Sequence, residues 1–224
     1  MKTAGIIGGL GPETTAKFYL EIVFSCYKKN RKKRPPLLMW NVPLPHKIEE
    51  NLITKSKGAE RYIPFLINAA VRLEKNGADF LVMPCNSLHI FIKKIRKAVK
   101  IPVLDICEET AQLLKENKIK KVGILATTTT LRGKLYEDRF NEIGIKQIIP
   151  DNIQQIKIGK IINNLVLNQH SNNDRKELLE IIGSLKNKGA KTIILACTDL
   201  QILVPKFPGI KIFDTMKILA NSTV

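Results

Sequence analysis

Apolar residues follow two rhythms along this chain. Mostly apolar runs of four to six residues recur at 4–7, 37–42, 80–83, 101–105, 121–126, 145–149, 192–196 and 210–214. Between them, apolar positions return every three or four residues. Examples are Phe18 and Ile22 after Pro12, then Phe65, Leu66, Ala69, Ala70 and Leu73 before Gly77, then Leu131, Leu135, Tyr136 and Phe140. The first rhythm predicts buried strands and the second predicts helices with one apolar face. The spacing places helices over 62–75, 87–99, 156–167 and 175–186, with a turn-rich surface loop at 168–173. Strands alternating with helices imply parallel sheets covered on both faces.

The pattern then repeats. The stretch from Gly77 to Leu88 aligns without gaps on the stretch from Gly189 to Leu200, a shift of 112 residues that carries Cys85 onto Cys197. Each copy reads Gly-Ala, two variable residues, an apolar strand, a cysteine, two polar residues and a leucine. The run 121–126 likewise echoes 4–7, and 210–214 echoes 101–105. The expected fold class is therefore α/β: two Rossmann-like domains related by internal duplication, each a small parallel four-stranded sheet flanked by helices. Parallel sheets present ligand chemistry at the carboxyl ends of their strands. Both cysteines lie at such ends. So do the glycine loop around Gly9 and the threonine loop at 127–130 that replaces it in the second half.

Composition narrows the function classes. A chain of 224 residues with 44% apolar residues can bury a proper core, and its net charge of +17 is high. That charge would suit nucleic acid or an anionic small molecule. The densest basic run, 28–34, and the lysines at 93–97 and 115–121 have no interleaved aromatic residues to serve as stacking platforms. Solvated surface is the preferred reading, and nucleic acid is not an expected partner. No apolar stretch approaches the ~20 residues needed to span a bilayer, and the amino terminus does not resemble a signal peptide. A soluble, cytoplasmic protein is expected. Cys26, Cys85, Cys107 and Cys197 show neither CxxC spacing nor a histidine cluster, so no metal site and no disulfides are expected. Gly9-Leu10-Gly11 lacks the third glycine of a dinucleotide loop, at Thr14, and the second strand run carries Asn41 rather than an acidic ribose ligand. No cofactor is expected.

A thiolate is a competent base and a neutral thiol a competent acid. Two thiols on opposite faces of one carbon can remove a proton from one side and return it on the other, inverting a stereocentre. The carboxylate next to that carbon needs donors as negative charge develops. Asn86, Ser87, Thr198, Gly9 and Thr128 with the rest of the threonine loop lie where such donors are needed. A helix start after each cysteine would favour the thiolate. Taken singly, either cysteine would read as a packed core residue; the symmetric pair, each with polar followers, reads as catalytic. Cys26 and Cys107 have no such echo and are expected to be structural. His89, four residues after Cys85, reads equally as a site-orienting or a packed histidine.

The glycine loop from Gly8 to Pro12, the run Pro84-Cys85-Asn86-Ser87-Leu88-His89, the threonine loop and Cys197-Thr198-Asp199 together resemble the aspartate/glutamate racemase family, most closely its aspartate racemase branch, over essentially the whole chain. The resemblance implies a pyridoxal-independent racemase acting on a small acidic amino acid, usually as a homodimer. It assigns Cys85 and Cys197 as the catalytic pair, and Asn86, Ser87, Thr130 and Thr198 as ligands of the substrate carboxylate and amino group. It also implies that the last strand and helix return to the first domain. The expected division is 1–100 plus 207–224, carrying Cys85, and 101–206, carrying Cys197. Ser87 stands where the family has threonine, Thr129 where it has glycine and Asp199 where it has glutamate. Lys47 takes the place of the arginine that holds the aspartate side chain, and no lysine occurs in 161–170, where the branch has one near Val166. Racemisation of glutamate or of a broad range of amino acids, and maleate-type isomerisation, remain open on this fold. So does a non-catalytic protein binding anions or nucleic acid.

Overall fold

The computed structural model describes residues 1–29, 33–45, 48, 58–204 and 207–224. These divide into two compact units, Met1–Glu109 with Met216–Val224, and Thr110–Thr215.

In the first unit β1 (Ala4–Gly8) lies between β2 (Leu37–Asn41) and β3 (Phe80–Val82), all parallel. All five residues of β1 are buried, as a central strand covered on both faces requires. Helix α1 (Pro12–Lys29) starts with Pro12 in its first turn, where the missing N–H costs nothing. It buries Thr14, Thr15, Phe18, Ile22, Ser25 and Cys26. Helix α2 (Ile63–Lys75) packs Leu66, Ala69, Ala70 and Leu73 into the core. It comes close to β1 because Gly5 has no side chain there: a Cβ would lie 2.8 Å from the Ala78 Cβ and 3.2 Å from the Leu73 Cβ.

Two expectations change here. The run 101–105 is not a full fourth strand. It touches the sheet through one bridge, Leu81 to Val103, with bonds from the Leu81 N–H to the Pro102 carbonyl (2.8 Å) and from the Leu104 N–H to the Leu81 carbonyl (2.9 Å). Pro102 has no N–H to donate, and the amides of Lys100 and Ile101 are taken by Glu74 Oε1 at 2.6 and 3.2 Å. The helix expected over 87–99 is instead a 3-10 turn, Ser87–Phe91, followed by α3 (Ile92–Ala98).

In the second unit the order is β5 (Lys146–Ile148), β4 (Lys121–Ala126), β6 (Thr192–Ala196), β7 (Lys211–Asp214), again all parallel. The chain enters this unit within α4 (Ile106–Glu116). Short helices α5 (Thr128–Arg132) and α6 (Glu137–Glu142) follow β4. Helices α7 (Asn152–Val166) and α8 (Asn172–Asn187) each open with a complete capping box, Asp151 with Gln154 and Ser171 with Asp174. Their inner faces bury Ile158, Ile161, Ile162, Leu178, Ile181, Ile182 and Leu185. Each such side chain contributes roughly 1.5–3 kcal/mol by leaving water.

The last strand, expected with the first domain, instead pairs along its length with β6. Only α9 (Thr215–Ser222) goes back, and the crossing falls at Thr215. There α1 meets it: Lys29 Nζ donates to the Asn221 carbonyl at 2.8 Å, and Lys217 lies 3.9 Å from Glu21. Among the described residues no helix is long and apolar enough to cross a membrane.

Candidate active site

The two cysteines occupy the same register in their sheets. In the first unit the last pair is Ile6 with Val82, and Gly9 and Cys85 each follow it by three residues. In the second, Ala126 pairs with Ala196, which sets Thr127 beside Cys197. In each sheet, then, the thiol and the loop that leaves the central strand follow the carboxyl ends of neighbouring strands.

Cys85 is partly exposed. Its N–H donates to the Met83 carbonyl at 2.8 Å, turning the chain sharply at the strand end. Asn86 is buried and starts the 3-10 turn, and Ser87 is half-buried. The ambiguity over His89 resolves into a structural role. Its ring is 1% exposed. The backbone N–H of Ile106 donates to Nε2 at 3.2 Å, so Nε2 bears no proton. Nδ1 therefore carries it and donates to the Cys85 carbonyl at 2.7 Å. The neutral imidazole ties the residue behind the thiol to the first residue of α4.

Gly9 has φ +82, and a Cβ there would meet the Val42 nitrogen and Asn41 Oδ1 at 2.8 Å. Only glycine fits this turn. Its N–H donates to Thr15 Oγ1 at 3.0 Å, and that hydroxyl donates to the Gly11 carbonyl at 3.0 Å.

Cys197 is more enclosed, at 7% exposure. Its Sγ donates to Asp199 Oδ2 at 3.6 Å; the position that matches Asp199 in the other half is Ser87, a hydroxyl in place of a carboxylate. Thr198 is buried, and its carbonyl accepts from Gln201 Nε2 at 3.0 Å. In the threonine loop Thr127 caps α5: its Oγ1 accepts the Thr130 N–H at 3.2 Å and lies 3.0 Å from the buried Thr130 hydroxyl. Thr128 Oγ1 accepts from Gln155 Nε2 at 3.4 Å, and the same nitrogen donates to the Ala126 carbonyl at 3.0 Å.

Both thiols precede 3-10 turns, Ser87–Phe91 and Leu200–Ile202, rather than long helices. The helix-start field expected to favour thiolates is correspondingly small, because a macrodipole needs aligned turns. None of the four cysteines is in a disulfide, and Cys26 and Cys107 are fully buried. Lys47 lies outside the described residues. Among the described residues no three His, Cys, Asp or Glu side chains gather as a metal would require. Sequence reading missed Gln155, which reaches the threonine loop from α7. Thr127 carries a cap signal, a hydroxyl just before a helical run; Gln155 carries none.

Known proteins match this chain over nearly its whole length. A family model described as Asp/Glu/Hydantoin racemase matches residues 7–223. The broad specificity amino-acid racemase RacX of Bacillus subtilis (strain 168) is 29% identical over 229 residues, covering 98% of this chain and 96% of that one. The Picrophilus torridus aspartate racemase structure superposes with a TM-score of 0.83 at 25% identity, covering 100% of this chain and 93% of that one. Glutamate racemase from Aquifex pyrophilus shares the fold, with a TM-score of 0.68 at 19% identity over 99% of this chain and 82% of that one.

Proposed function

The chain belongs to the Asp/Glu/hydantoin racemase family, and we propose that it inverts the α-carbon of an amino acid with Cys85 and Cys197 as the two bases, aspartate being the first substrate to test. The observation that carries this reading is the repeated half-site: in each sheet a cysteine outside any disulfide follows the carboxyl end of the strand that pairs with the central one.

In the proposed reaction one sulfur, as thiolate, takes the α-proton while the C–H electron pair stays on carbon. The other sulfur, as thiol, gives its proton to the opposite face and becomes the thiolate. The two have exchanged roles, so the enzyme runs both ways, and the thiols supply all the acid–base chemistry. Asn86, Ser87, Thr128, Thr130 and Thr198 stabilise the substrate carboxylate as it gains charge, with Lys47 on the side chain and Gly9 shaping the first loop. The Asp199 carboxylate stabilises the S–H form of Cys197, so Cys197 starts as the acid and Cys85 as the base.

A broader substrate range is favoured by one observation: residues 161–170 hold no lysine to grip a second carboxylate. The relative named as broad specificity fits that reading. We propose further that the enzyme acts in the cytoplasm as a homodimer. Leu20, Phe24 and Tyr27 form an exposed apolar stripe on α1, which has Glu13 in its first turn and Lys28 and Lys29 in its last. Two such helices packed antiparallel would match opposite charges at both ends, and size-exclusion chromatography should then report about twice 25.3 kDa.

The reaction is tested by incubating reduced protein in heavy water, without pyridoxal phosphate, with each enantiomer of aspartate, glutamate and several neutral amino acids. The expected result is α-deuterium incorporation with inversion. No exchange with any of them would overturn the racemase reading.

A further inference from the structure

We infer that Gln155 is a substrate-binding residue whose side-chain oxygen accepts a hydrogen bond from the substrate's ammonium group; this rests on the racemase reading. Among the described residues a few buried side-chain atoms lack a hydrogen-bond partner, and three of them are Gln147 Oε1, Gln155 Oε1 and His170 Nδ1. Gln147 lies within β5, paired with Val122 near the start of β4, and His170 lies in the turn between α7 and α8. Gln155 is different. It stands in the first turns of α7 and reaches the end of β4, where Nε2 donates to the Ala126 carbonyl and to Thr128 Oγ1.

Those two bonds fix which way the amide faces. Turned over, it would set its oxygen against the Ala126 carbonyl, two acceptors in contact. The oxygen is therefore the arm left over. A buried acceptor without a donor is costly, so such an atom in a folded site calls for a partner. The strand register identifies the neighbourhood. Ala126 pairs with Ala196, so the Gln155 amide sits one strand spacing from the strand that ends in Cys197. The threonine hydroxyls around it are proposed carboxylate donors. An α-amino acid bound there brings one cationic donor, its ammonium, and needs an acceptor that is not itself a base. A neutral amide oxygen meets that need without competing with the thiols for the α-proton.

The test compares ligands that differ only in this group: aspartate against malate, and alanine against lactate should aspartate not be turned over. Binding is measured by calorimetry to wild type, Gln155→Met and Gln155→Glu. Gln155→Met removes the acceptor at nearly constant volume. It should weaken the amino acid about 10-fold or more, the scale of a hydrogen bond to a charged group, and change the hydroxy acid less than about 3-fold. Gln155→Glu keeps an acceptor toward the ammonium but loses both Nε2 bonds, so it should weaken both ligands while retaining the preference for the amino acid over the hydroxy acid. A purely structural role for Gln155 would weaken both ligands equally in Gln155→Met, and that result overturns the inference. If that variant fails to fold, loss of amino-acid preference in Gln155→Glu overturns it alone. Failure of the wild type to exchange the α-proton of any amino acid is a separate outcome, which removes the racemase reading itself.

Discussion

Cys85 and Cys197 hold matching places in two sheets, yet their surroundings differ in kind. Cys85 is partly open, and a neutral imidazole bonds its backbone carbonyl. Cys197 is enclosed, and its sulfur bonds a carboxylate directly. The loops differ too. Beside Cys85 a glycine turn wraps its own N–H on Thr15, whereas beside Cys197 a row of threonine hydroxyls caps a short helix. Duplication preserved the register, and the local chemistry then diverged. In the proposed two-base reaction one sulfur holds a proton while the other does not, and the two exchange roles with each turnover.

The harshest test of the comparison removes one sulfur at a time. Cys85→Ala and Cys197→Ala should each cut inversion by about 10²- to 10⁴-fold, the usual worth of a positioned acid or base. Each should still exchange the α-proton of the one enantiomer that faces the remaining thiol. Deuterium incorporation followed separately for the two enantiomers reads this out; full inversion by either variant would end the two-base scheme.

Asp199→Asn probes the asymmetry itself. The equilibrium constant of a racemisation is one, so kcat/KM must fall equally for both enantiomers, by about 10-fold. The kcat values for the two should separate, and the acid and base limbs of the pH–rate profile should move. Ser87→Ala, at the matching position, removes a proposed carboxylate donor, so it should lower the rate by about 10-fold or more while leaving the limbs in place.

The loops should differ in stability. Gly9→Ala forces a side chain into a positive-φ turn already closed by Asn41 and Val42, and should cost about 1–3 kcal/mol in denaturant unfolding. Thr127→Ala removes only a helix cap and should cost about 1 kcal/mol.

The smallest expected effect separates the units by acid response. Burial works against the Asp174 charge, but bonds from the Ser171 hydroxyl and N–H and from Asn164, with the charge of Lys160, outweigh it and hold the carboxyl below its usual range. A carboxyl lowered by folding stabilises the protein above its unfolded value, and that contribution is lost as pH falls through the folded value. Thermal unfolding should therefore show Asp174→Asn to be less stable than wild type near neutral pH, with the gap closing in acid.

Much of this was legible in the sequence, because strand runs and helix periods report burial directly. The places of Cys85 and Cys197 followed from the repeat alone. What escaped depended on partners distant in the chain. Proline and the reach of Glu74 reduced 101–105 to a bridge, and neither lies in the apolar pattern. The last strand joined β6 because a ladder was open there, while an internal match to 101–105 says nothing about which sheet receives it. The 3-10 turn after Cys85 buries Leu88, His89 and Phe91, a spacing that an α-helix start would share. Gln155 reads as one more polar residue on a helix until the end of β4 is set beside it.

His89 offers one more use. Its two nitrogens are chemically distinct: a protonated one on the Cys85 carbonyl, a bare one on the Ile106 amide. In a nitrogen NMR spectrum such a ring gives two widely separated resonances, and the pattern collapses if the tautomers begin to interchange. The chain thus carries its own spectroscopic gauge of the strand end that holds Cys85. A ligand drawn into that half-site should register there without any label being added near the sulfur.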